Sequence, residues 1–142
     1  MFPEPIVWDA EQLRVGLRAE FEREVAEADV LAFARNSGDA NPLHIDAAYA
    51  RSSNFLGRIV HGAFQVGLAS ALIGMHLPGR NVLLGSVNAR FPAPLYFPCR
   101  VSVRGEITSW DPRLNAGQLR VLVLDAATRT PTAEIVMGFT LH

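Results

Sequence analysis

The chain has 142 residues, 49% of them hydrophobic and 19% charged, with a formal net charge of −1 at pH 7. That length suits one domain with a real core, residues 1–142. The charge balance argues against nucleic acid, which usually needs a basic stripe, and against a charged membrane surface. All 13 basic residues are arginine, which rules out a lysine Schiff base.

Cys99 is the only cysteine, so an internal disulfide and a cysteine-rich metal cage are excluded. A reducing, cytoplasmic location fits best. The first twelve residues lack the basic-then-apolar order of a signal peptide. No apolar run reaches the roughly 18–20 residues needed to cross a bilayer.

In chain order, residues 1–12 read as an irregular lead-in. Leu17, Ala19, Phe21 and Val25 alternate with Arg18, Glu20, Glu22 and Glu24, the pattern of a half-buried strand, with Arg23 as the exception. The period then lengthens: Val30, Leu31, Phe33 and Ala34 suit one face of a helix over about Ala28–Asn36. Asn36-Ser37-Gly38-Asp39 breaks it. A loop over Ala40–Ile45 follows, and Asp46 is placed to cap a short helix over Ala47–Arg51.

Gly62–Met75 carries the strongest helical signal. It is apolar on nearly every side, so it is expected to be buried all round. Its many small residues suit a sheet wrapped tightly about it. The last 60 residues read as strands. Leu83, Val87, Ala89 and Phe91 alternate with polar neighbours, as do Cys99, Val101, Val103 and Ile107. Leu119–Leu124 is apolar on both faces, which suits a central strand, and Ala133 to Leu141 alternates again. Turn signals separate these runs. The order implies an α+β fold, an antiparallel sheet curled around one long helix.

The chemistry is concentrated in Gly38-Asp39-Ala40-Asn41-Pro42-Leu43-His44-Ile45-Asp46 and Ile59-Val60-His61-Gly62. Pro42 fixes its own φ and pushes Asn41 toward extended geometry. A short loop stiffened in this way can aim a carboxylate and an imidazole at one small volume. Such a pair suits water activation: the carboxylate takes a proton, while the imidazole positions the water or supplies a proton elsewhere. Gly62 opens the long helix, where free N–H groups and the positive dipole end would polarise a carbonyl. An oxyanion donor of this kind is typically worth about 3–4 kcal/mol.

Asp-x-Asn-Pro-x-His-x-Asp, followed after a gap by Val-His-Gly, resembles the MaoC-like (R)-specific enoyl-CoA hydratases. The likeness runs at motif level from about Phe33 to Phe91. It implies a hot-dog fold and a hydro-lyase that interconverts trans-2-enoyl and (R)-3-hydroxyacyl thioesters. It places Asp39 and His44 as the catalytic dyad, Gly62 as the backbone donor to the thioester oxygen, and Ser70 as a supporting hydroxyl. Arg58 stands where that family often has proline.

Asn41 and His61 join the candidate substrate-binding residues, each with a structural alternative in loop or helix bracing. No metal is expected, because the spacing of Asp39, His44 and His61 matches no familiar metal pattern; no redox cofactor is expected either, and the substrate brings its own coenzyme A or phosphopantetheine arm. Arg58, Arg80 and Arg90 are candidates for its phosphates. Partners reduce to that acyl-CoA or acyl-carrier-protein substrate and a second copy of the chain. A homodimer would cover an open sheet edge.

Two rival functions share the scaffold. One is an acyl thioesterase, which commonly places its carboxylate on the long helix, where this chain has neither Asp nor Glu. The other is a non-catalytic acyl-binding subunit, which would carry a broken dyad.

Overall fold

A computed structural model describes residues 1–142. After a 3₁₀ turn at Ala10–Gln12 come strand β1 (Arg18–Val25) and helix α1 (Glu27–Ser37). Two short helices, α2 (Pro42–Ile45) and α3 (Ala47–Ser52), lead to the long helix α4 (Gly62–Met75). Strands β2 (Val82–Arg90), β3 (Cys99–Asp111), β4 (Ala116–Asp125) and β5 (Pro131–Leu141) complete the chain. All pair antiparallel in one sheet of order β1-β3-β4-β5-β2.

The strand periodicity accounts for the core. Val101, Val103 and Ile107 of β3, Leu119, Val121 and Val123 of β4, and Ala133, Ile135 and Met137 of β5 are fully buried. Together with Leu68, Ala69, Leu72 and Ile73 of α4 they belong to one hydrophobic cluster. Gly105 lets the helix approach: a methyl group there would collide with the Leu72 side chain. Outward residues of β1 and β3 form an ionic ladder, with Arg100 bonded to Glu22 and Glu24 at 2.7 and 2.8 Å. Arg23, the exception in β1, reaches out to Asp29 of α1 at 2.9 Å. Burial, reinforced by the Asp125 and Glu24 charges, pushes the Cys99 thiol up to about 11.

The far end of α4 is strapped down by the lead-in. Met75 and His76 carbonyls accept from the Ile6 amide and the Trp8 indole at 2.9 and 3.0 Å. Arg80 N–H returns a bond to Ile6 O. Gly79, at φ +84°, cannot be replaced by a larger residue without striking the Ile6 backbone.

The structure differs from the sequence expectations in three places. Pro42–Ile45 is one turn of helix rather than loop, because Asn41 caps it and Pro42 occupies a first-turn position where no N–H is needed. Helix α4 is not covered all round: Ala63, Gly67 and Ser70 form an exposed stripe. Strand β2 lies at an edge and leaves Leu83, Leu84 and Val87 exposed. No helix is long and apolar enough to cross a membrane.

Leu72 is fully buried where α4 meets β3. Leu72→Ala should therefore lower the unfolding free energy by about 2–5 kcal/mol. Urea unfolding would read this, and a loss below ~1 kcal/mol would contradict the packing.

Candidate active site

The turn after α1 is built from local bonds. Gly38 adopts φ +82°, the left-handed conformation that ends α1. Asp39 Oδ1 then accepts the Asn41 amide at 3.2 Å, and Asn41 Oδ1 accepts the Leu43 amide at 3.0 Å. Asn41's oxygen is thus committed to capping α2. Asp46 caps α3 in the same manner, accepting the Tyr49 amide.

Two histidines clamp this turn to the segment before α4. His44 Nδ1 lies 2.8 Å from Ile59 O, and His61 Nε2 lies 2.9 Å from Asp39 O. A carbonyl only accepts, so each of those nitrogens must donate. In the neutral rings the other nitrogen, Nε2 of His44 and Nδ1 of His61, then carries a lone pair. The rings stack, with centroids 3.7 Å apart and planes 26° apart. Phe33 closes over His61 from the other side, at 4.8 Å. His61 is 1% exposed, and its Nδ1 is buried without a partner.

The free nitrogen of His44 faces the Asp39 carboxylate, with Nε2 and Oδ2 3.9 Å apart. That is too far for a direct hydrogen bond. Both atoms are acceptors, and the separation is one that a single water can bridge by donating to each. His44's side chain is 12% exposed and Asp39's is 53% exposed, so the pair spans buried wall and open rim.

His44 opens onto a cavity of about 340 Å3 lined by Phe55, Ile59, Val60, Gly62, Gln65, Phe91, Pro92, Ala93, Pro94 and Leu95. No side chain caps the start of α4. The Gly62 amide is left without an acceptor in the chain. A Cβ at Gly62 would lie 3.0 Å from the Phe91 ring, so glycine keeps this wall of the cavity in place.

The structure thus brings Asp39, His44, His61 and Gly62 together. It does not bring Ser70 to the cavity: Ser70 lies on the exposed stripe of α4 and bonds nothing in the chain. The three arginines are engaged elsewhere. Arg58 pairs with Glu27 and stacks over Phe97 at 5.0 Å. Arg80 pairs with Glu4 at 2.6 Å, and Arg90 pairs with Glu134. One atom each of Asp39, His44 and His61 falls within 4.8 Å of the others, close enough to consider a metal. The histidine rings lie face to face rather than aiming lone pairs at one point, so the set does not suit one.

Sequence reasoning missed Gln65. It is 2% exposed yet lines the cavity, and it bonds the buried Thr132 of β5. Its signal was a lone carboxamide in an apolar helix, three residues beyond Gly62.

A sheet curled around one central helix, with a carboxylate–imidazole pair beside the helix mouth, defines a hot-dog protein with a hydro-lyase-type site. The fold matches the solved (R)-hydratase from A. caviae involved in PHA biosynthesis, with a TM-score of 0.87 at 28% identity over 93% of this chain and 99% of that one. Residues 11–125 match the MaoC like domain family, and the chain belongs to it.

Among curated relatives, a 3-hydroxybutyryl-CoA dehydratase of Methylorubrum extorquens is 35% identical, covering 84% of this chain and 76% of the relative. An (R)-specific enoyl-CoA hydratase of Aeromonas caviae is 36% identical, covering 70% and 75%.

His61→Phe keeps a flat ring but removes the bond to Asp39 O. Stability should change by no more than about 1 kcal/mol, since the buried unpaired nitrogen leaves as well. Amide exchange across residues 39–44 should accelerate, as read by mass spectrometry. Unchanged exchange would show that His61 does not hold the turn.

Proposed function

We propose that this protein adds water across the C2–C3 double bond of trans-2-enoyl thioesters, and reverses that addition on (R)-3-hydroxyacyl thioesters, with Asp39 and His44 as its acid–base pair. The observation that carries this reading is the 3.9 Å gap between His44 Nε2 and Asp39 Oδ2, two acceptors fixed on either side of one water-sized space. The tautomer is set by Ile59 O, so the imidazole meets water with its lone pair.

In the hydration direction, water donates one proton to the pair while its oxygen bonds to C3. The electron pair of the double bond moves toward the thioester oxygen, where the Gly62 amide stabilises the developing charge. A proton then returns from the pair to C2, so water is added in full and the protein is unchanged. The substrate's carrier, coenzyme A or a phosphopantetheine arm, stays outside the chemistry. No further cofactor enters this scheme.

Thiol release is the reading to separate from this one. Helix α4 has no carboxylate, and the acid of this site stands on the turn before α2. That arrangement favours hydration over thioester cleavage.

The working form we propose is a homodimer joined through β2. The two sheet edges differ: β1 carries a charged outward row, whereas β2 exposes Leu83, Leu84 and Val87. Charge protects an edge from pairing, and an apolar edge invites it. Pairing of two β2 strands would also bring the exposed stripe of α4, Ser70 included, toward the partner.

Two measurements test these readings. With trans-2-crotonyl-CoA, absorbance of the conjugated bond should fall without release of thiol. Asp39→Asn and His44→Gln should each slow this at least ~100-fold, the usual scale for acid–base groups. Near-full activity in either variant sinks the assignment. Separately, Val87→Asp should shift a dimer toward monomer in light scattering, and a wild-type monomer would overturn the pairing.

A further inference from the structure

The cavity beside His44 is apolar but for two side chains, His44 itself and Gln65. His44 spends Nδ1 on Ile59 O and turns its free Nε2 toward Asp39. Gln65 is not. Its Oε1 accepts the Thr132 hydroxyl at 2.7 Å. A carboxamide whose oxygen is held in this way turns its nitrogen, with two protons, to the other side. No acceptor on the chain takes those protons. The residue is 98% buried by its neighbours, at 2% exposure, and it lines the cavity.

We propose that Gln65 determines specificity: its carboxamide nitrogen donates to an oxygen on the acyl chain beyond the reacting double bond. The preferred substrates are therefore short acyl thioesters bearing such an acceptor, rather than plain hydrocarbons. This rests on the hydro-lyase reading for the placement of the thioester. Gln65 follows Gly62 by three residues, which puts both on one face of α4, about 4.5 Å apart along its axis. An acyl chain whose thioester oxygen meets the Gly62 amide therefore passes the carboxamide further along. The cavity, about 340 Å3, lies at the small end of ligand sites and suits short chains. A donor that faces the cavity also penalises ligands that bring no acceptor, because its hydration is lost and not replaced.

The test is calorimetric binding of two saturated thioesters to the intact protein. Levulinyl-CoA carries a keto oxygen on its fourth carbon, and valeryl-CoA is its hydrocarbon counterpart. Wild type should bind levulinyl-CoA at least ~10-fold tighter, and Gln65→Met should reduce that preference to within ~2-fold. Thr132→Val, which frees the carboxamide to turn, should narrow it partway and guards against a folding defect in the first variant. Equal binding of the two ligands by wild type, binding of neither, or a preference that survives in Gln65→Met overturns the proposal. Turnover of trans-2-pentenoyl-CoA by the same wild-type preparation is read separately. If selectivity is present without turnover, the hydro-lyase reading fails and the recognition by Gln65 stands.

Discussion

Two bonds from imidazole N–H groups to backbone carbonyls organise this site: His44 to Ile59 O and His61 to Asp39 O. Each ties the turn after α1 to the stretch before α4, and each chooses a tautomer. The first leaves a lone pair on the nitrogen that faces the carboxylate. The second fixes the backbone on which that carboxylate stands. Without them, Asp39 would be a polar residue on an exposed turn, and the imidazole could present either nitrogen. The stacked rings add a steric limit, since neither can rotate without displacing the other.

The lone pair on His61 Nδ1 is the cost of this arrangement. A buried acceptor without a partner is unfavourable by about 1–3 kcal/mol. His61 therefore acts as a brace, distinct from the half-open pair beside it.

Much of this was legible in the sequence because the periods were long. Gly62–Met75 was bounded at both residues by its glycine start and apolar run. The central position of Leu119–Leu124 followed from its two apolar faces, and β4 is indeed the middle strand. The approach of Asp39 to His44 beside Gly62 was legible because proline and glycine mark backbone geometry as well as residue type.

What was missed lacked a period or depended on partners. Four residues are too few for Pro42–Ile45 to show a helical repeat. Strand β3 continues past Ile107 to Asp111 because Ser109 and Trp110 pair with Gln118 and Gly117 across an irregularity, which no local pattern announces. The apolar row of β2 promised a buried face, but burial is set by what lies opposite, and here the opposite side is open. Gln65 was a single polar letter, and its meaning lies in Thr132, 67 positions away.

The strap that holds the end of α4 to the lead-in has a mechanical consequence. A 14-residue helix is about 21 Å long and stiff along its axis. Its terminal carbonyls are anchored through Ile6 and Trp8, so its axial position is fixed at the end remote from the cavity. Slack introduced there, by trimming the first eight residues or enlarging Gly79, would be transmitted as a rigid translation. The Gly62 amide and the Asp39 turn, tied to each other through His61, would then shift together against the sheet. Residues at the remote end of α4 thus help set where the start of the helix, and the turn bonded to it, lie against the sheet.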